Sequence, residues 1–205
     1  MAILKLIAAV LFMATTAASY SSGEECDFSV VDLDTAVEEI LANLPTNYTL
    51  TKEKFFPVIA GLEAGPLSVS GLDKIRQYGA VQPYCVRGTR FLQVDLVNNA
   101  DVAFYMPWRT CSGHEGHVTL FAELSRFTVL LRVDRGGFAE NFVLRYEGPT
   151  VPVNTYSVHL LVKGAGVGGK IASGILSKFF PAFVNELWND HFFNYFTHFL
   201  RITLQ

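Results

Sequence analysis

From Pro66 to Lys163 the apolar residues of this chain recur mainly at every second position, whereas on either side they recur at the spacing of a helix face. Alternation sends successive side chains to opposite faces of a pleated strand, so a long, half-buried antiparallel sheet is expected. The stretch PLSVSGL sets Leu67 and Val69 against Ser68 and Ser70. In FLQVDLVNNADVAFYMPW, Leu92, Val94 and Leu96 precede a polar turn at Asn98 to Asp101, and Val102, Phe104, Met106 and Trp108 follow it. This pattern predicts a β-hairpin with one apolar face. HVTLFAELSRFTVLLRV behaves differently, with apolar residues at even positions up to Leu124 and at odd positions from Phe127 to Val133. A one-residue slip exchanges the faces of a strand, so a bulge or bend is expected near Ser125 and Arg126, where the sheet would curl. DRGG at 134–137 predicts a turn. Two more strands follow, one carrying Phe138, Phe142, Leu144 and Tyr146 on one face, the other Tyr156, Val158, Leu160 and Val162.

Helical periodicity flanks this region. Leu33, Val37, Ile40, Leu41 and Leu44 share a face, Asp32, Asp34, Glu38 and Glu39 suit the helix N-terminal half, and Pro45 ends it. After the glycine-rich GAGVGG at 164–169, Ile171, Ile175, Leu176, Phe179, Phe183, Leu187 and Trp188 cover one side of a C-terminal helix. Phe180, Val184, Phe192, Tyr195, Phe196 and Phe199 widen that arc, and a helix apolar around most of its circumference must be enclosed on most sides. Pro181 lacks an N–H and clashes with the preceding turn, which predicts a kink or a break. Asn185, Glu186, Asn189, Asp190, His191, Asn194 and His198 interrupt the apolar run, and an acidic group at mid-bilayer costs about 2.5–3.5 kcal/mol, so this helix is not read as a membrane span. The expected fold is α+β, a curved antiparallel sheet against a long C-terminal helix.

The first residues carry Lys5, an apolar run from Leu6 to Met13, and small residues up to Ser19. They read as a signal peptide at 1–19, followed by a single domain at 20–205 that is secreted to the extracellular space. An oxidising compartment favours disulfides. Cys85 and Cys111 flank the expected hairpin and are predicted to pair, leaving Cys26 free or intermolecular. In a secreted chain the Asn-Tyr-Thr triplet makes Asn47 a glycosylation acceptor. Half of the residues are hydrophobic and only 17% are charged, more apolar surface than an average domain needs. A formal charge of -3 leaves no basic face, which argues against nucleic acid as a partner.

Candidate chemistry is sparse. GAGVGG does not fit a phosphate loop and reads as a strand-to-helix hinge. His114 and His117, with Glu115 and Cys111 nearby, match no metal-binding spacing and read as a solvated turn. No nucleophile elbow and no carboxylate pair is present, so neither a catalytic residue nor a cofactor is proposed. A single buried aromatic is more often core than ligand wall. The inward faces together are nearly all apolar, as ligand pockets are, and this makes Phe104, Met106, Leu120, Phe142, Leu144, Leu160, Phe179, Phe183 and Trp188 candidate lining residues.

The element order, PLSVSGLDKI as a first strand running into Gly-Leu, and PAFVNELW near the end resemble the mite group 7 allergens and their arthropod relatives. These belong with the takeout and juvenile-hormone-binding carriers among the tubular lipid-binding (TULIP) proteins. The takeout carriers resemble one another in an N-terminal cysteine pair; here Cys26 is alone in that region, which favours the group 7 branch. The resemblance implies a super-roll, a sheet wrapped around a long helix with an apolar tunnel between them. It also implies non-enzymatic binding, transport or sensing of a lipid or other hydrophobic molecule, a microbial lipid or a membrane surface among them. The alternative is a secreted protein-interaction module with a solid core.

Overall fold

The computed structural model describes residues 26–28, 32–49, 54–135 and 142–205. The expected signal peptide, the strand start at Phe138 and the glycines of the DRGG turn lie outside them. Helix α1 (Leu33–Ala42) begins at Asp32, whose carboxylate accepts hydrogen bonds from the Thr35 amide (3.2 Å) and hydroxyl (2.8 Å), satisfying a donor that the first turn leaves open. It buries Val37 and Leu41.

Eleven strands among the described residues form one antiparallel sheet: β1 (Asn47–Thr49), β2 (Phe56–Ile59), β3 (Leu62–Ala64), β4 (Ser68–Ser70), β5 (Arg76–Gln77), β6 (Gln82–Val86), β7 (Thr89–Asn98), β8 (Ala103–Thr110), β9 (Glu115–Arg135), β10 (Phe142–Tyr146) and β11 (Val151–Lys163). The 21-residue β9 is the spine. On one edge it pairs with β7 and then β8, and on the other with β10 and then β11, because single β9 residues bond to both sides: Phe121 faces Ala103 and His159, and Leu131 faces Leu92 and Tyr146. Strands β3 to β6 form a further track along β8 and β7. The α+β class expected from the sequence is therefore observed.

The expected β7–β8 hairpin is not. Asn98 lies opposite Ser125 and Ala103 opposite Phe121, so five steps along one track match four along β9 and the chain continues in the same direction. The buried Asn98 carboxamide oxygen accepts from the amides of Asp101 (3.1 Å) and Val102 (3.0 Å), closing the polar segment into a bulge within one track. On β9 itself the exchange of faces is real. Leu120 and Ala122 are buried, then Ser125, Phe127, Val129, Leu131 and Val133. Beside this point β11 also departs from regular pairing, with Ser157 at φ 50° and a register shift between Pro152 and Asn154. A crease thus crosses three neighbouring tracks.

Track continuity also corrects the disulfide. Cys26 is bonded to Cys85, with Cα atoms 5.9 Å apart, and Cys111 is a free, exposed thiol. A hairpin would have brought Cys85 near Cys111. Instead Cys85 pairs across from Arg90 at the start of the β7–β8 track, and Cys111 follows its last residue. About 20 residues at roughly 3.3 Å per residue separate those ends, far beyond disulfide reach.

The C-terminal segment breaks where Pro181 requires. Helix α2 (Gly166–Phe179) stops before Phe180, which is non-helical (φ -126°, ψ 49°), and α3 (Pro181–Thr203) starts with the proline in its first turn, where the missing N–H costs no bond. Gly164 has φ 90° and lies so close to the Glu115 carbonyl that a Cβ would reach 2.3 Å from its oxygen, so glycine is required at this hinge.

Peptide mapping is expected to recover a Cys26–Cys85 cross-linked pair and a free Cys111. Cys85→Ala should lower stability by about 2–4 kcal/mol in denaturant titration, while Cys111→Ser should change it by no more than about 0.5 kcal/mol.

Candidate functional site

Between helix α3 and the sheet lies an aromatic core. Trp188 is fully buried and donates its indole N–H to Ser125 Oγ at 3.0 Å, directly at the crease. Its ring stacks on Phe192 (4.8 Å between centroids) and meets Phe104 edge-on (5.8 Å), while Phe127 packs edge-on against Phe192, Phe193 and Phe196. Val184, Trp188, Phe192, Phe196 and Leu200 recur every four residues and form the buried stripe of α3; Glu186, Asp190, Asn194 and His198 are exposed. The expectation of a helix enclosed on most sides is corrected accordingly: the sheet covers one face, and the wide apolar arc is divided between the core and the surface.

The candidate lining residues separate into three environments. Phe104, Leu120 and Trp188 belong to the solid core, with Leu160 half-buried beside them in the row Phe104–Leu120–Leu160 across three strands. Leu144 is buried and Phe142 half-buried near the C-terminus, where Ala36, Ile40, Asn43, Leu204 and others line an open cleft of about 360 Å³. Met106 is half-buried in the next row, with Val118 and Val162, one step further toward the β8–β9 turn. Phe179 and Phe183 are 69% and 51% exposed at the helix break, so they line no enclosed tunnel.

The two ends of the molecule differ in cover. At the end carrying the disulfide, α1 lies over the start of β5 and the C-terminal part of α3; the residual space among Val37, Leu41, Val94, Leu96, Val129, Leu131 and Leu200 is about 10 Å³, room for about one water. At the opposite end helix α2 lies along β11, held by the Ser177 hydroxyl on the Leu160 amide (3.3 Å) and by Gly169 against Val162. There Phe56, Val58 and Ile59 of β2 and Val167, Ile171, Ile175, Phe179, Phe180 and Phe183 of the helices are all about half exposed or more. Trp108, which the alternation of apolar residues placed on the apolar face but not among the ligand-contacting residues, is buried over Gly116 at this end, and its indole N–H has no hydrogen-bond partner among the described residues. Leaving a buried donor unpaired costs about 1–3 kcal/mol.

A separate open cleft of about 560 Å³ lies between the β10–β11 connection and α3. Its wall holds a hydroxyl chain, Tyr146 to Thr150 to Thr197, with 3.0 Å steps, and Arg201 lies over the Tyr146 ring. His198 also lines this cleft, whereas the other histidines are engaged elsewhere: His114 Nδ1 contacts Ser112 Oγ at 3.0 Å, His117 lies against the Tyr105 ring, His159 bonds Glu123 at 2.9 Å, and His191 lies against the Phe104 ring. Hydrogen bonds from His159 and then Ser157 hold the Glu123 carboxyl below its ordinary value, and burial followed by the neighbouring Tyr48 raises the Tyr195 phenol. No group of three or more histidine, cysteine or acidic side chains among the described residues is placed to hold a metal ion. No helix among them is long and apolar enough to cross a membrane. Asn47 is exposed on the edge strand β1. No protein-family model matches this sequence, and no curated protein matches it.

Phe192→Ala is expected to cost about 3–5 kcal/mol of stability, and Trp188→Phe about 1–3 kcal/mol through the lost bond to Ser125. Phe183→Ala should stay within about 0.5 kcal/mol, and urea titration of the three variants checks the contrast.

Proposed function

We propose that this is a secreted, non-enzymatic binder of lipid-like molecules, and that its ligand site lies at the end of the sheet away from the disulfide. The observation that carries this reading is the half-covered row Met106–Val118–Val162, followed by Trp108, whose buried indole N–H has no partner among the described residues. An apolar wall with one buried donor suits an acyl chain ending in a carbonyl or headgroup oxygen, which would satisfy Trp108 while the chain leaves water at about 25 cal/mol per Å². Met106 supplies a flexible thioether that adapts to chains of different shape. Phe183 at the helix break would close over such a ligand.

Several features support this reading. The element order resembles the tubular lipid-binding proteins, and a sheet creased beneath a broken helix is compatible with the wrapped arrangement of that family. A disulfide between Cys26 and Cys85 fits an oxidising compartment. A second reading, a secreted protein-interaction module, is favoured by the solid Phe104–Trp188–Phe192 centre, which leaves no through-going tunnel there.

Titration with a fluorescent fatty acid separates the two. Saturable binding is expected, weakened at least tenfold by Met106→Glu and unchanged by Phe142→Glu at the far cleft. In Trp188→Phe, which leaves Trp108 as the sole tryptophan, the emission should shift as the ligand binds. Absence of binding by the wild-type chain, with no lipid co-purifying from its natural fluid, would sink the carrier reading and leave the interaction module.

A further inference from the structure

We infer that the outward face of helix α2 is a docking surface for an anionic lipid membrane. Val167, Ile171, Ile175 and Phe179 recur every four residues along this helix and are exposed by 75%, 57%, 46% and 69%, with Phe180 (56%) beside them at the break. The helix packs on β11 through its other side, where Gly169 is buried and Ser177 bonds the Leu160 amide, so this stripe takes no part in the core. A contiguous apolar face of this kind marks an interaction surface.

Charge selects the occupant. From Lys163 to Asn185 the sequence contains Lys163, Lys170 and Lys178 and no acidic residue, although the chain as a whole is acidic. Lys163 and Lys178 are exposed. A second copy of the chain is a poor match, because a two-fold interface sets the same patch against itself and would bring these lysines together with no carboxylate to answer them. An anionic lipid surface satisfies both halves of the chemistry. The apolar stripe enters the headgroup boundary while the ammonium groups stay among the phosphates, the arrangement of helices that lie in the membrane plane. The glycines at 166, 168, 169 and 174 leave the helix little intrinsic stability, and the membrane would add to what β11 supplies. The proposal extends the lipid-binding reading to a different surface, and its physical basis does not depend on the ligand site proposed beside Met106.

Co-sedimentation of the mature chain with vesicles tests it, using phosphatidylcholine alone and phosphatidylcholine mixed with phosphatidylglycerol. Binding is expected to the anionic vesicles, to weaken as salt is raised, to fall about fivefold in Lys178→Gln, and to be lost in Ile171→Glu. Both substitutions are at exposed positions, and circular dichroism of each variant verifies the fold. The two sites are distinguishable: Ile171→Glu should keep the fatty-acid affinity of the wild type, and Met106→Glu should keep vesicle binding. Equal binding of wild type and Ile171→Glu, no binding to either vesicle, or a concentration-dependent dimer that Ile171→Glu dissociates would overturn the inference.

Discussion

The hydrogen bond from the Trp188 indole to Ser125 holds together the two halves of the architecture. Ser125 is where β9 exchanges its inward face, and a polar side chain buried at that point needs a partner. Trp188 supplies both at once, an apolar wall and an indole N–H donated to Ser125 Oγ. It fixes where the helix sits along the sheet, and the rings of Phe104, Phe127, Phe192 and Phe196 then pack around that register. Asn98 plays a matching part on the neighbouring track: its buried carboxamide ties down the bulge that lets β7 and β8 follow β9 across the crease.

From this constraint comes the difference between the two ends. South of the crease, toward the disulfide, α1 and the end of α3 both cover the inward face, and what space remains is about one water in size. In the other direction the helix breaks at Pro181, α2 is displaced along β11, and Met106, Val118 and Val162 keep only partial cover. The apolar surplus visible in the composition is spent unevenly. It makes a solid centre, one half-open row, and one outward stripe, and the two last are where the proposed ligand groove and membrane contact lie.

The hairpin expected at NNAD and the pairing expected between Cys85 and Cys111 fail for one physical reason. NNAD between two alternating segments has the composition of a tight turn, but composition does not say whether the chain reverses or resumes its course. That depends on what each segment pairs with, and here β9 offers a partner long enough for both. Once β7 and β8 are collinear, Cys85 and Cys111 lie at opposite ends and Cys26 becomes the available thiol. The width of the apolar arc on the last helix misled in a similar way, because burial of Val184, Trp188 and Phe192 does not oblige Phe179, Phe180 and Phe183 to be buried too.

Local and periodic features were determined by the sequence itself. Asp32 caps the first helix, Pro181 divides the last, Gly164 turns the hinge, and the parity change in β9 marks a crease, because each follows from the backbone preferences or side-chain period of a few neighbouring residues. Pairing was decided only in three dimensions. Which strand β7 and β8 share, which thiol meets Cys85, and which phenylalanines reach the core all depend on contacts between residues far apart in the chain, and these are set by the length of β9 and the register that Trp188 and Ser125 impose.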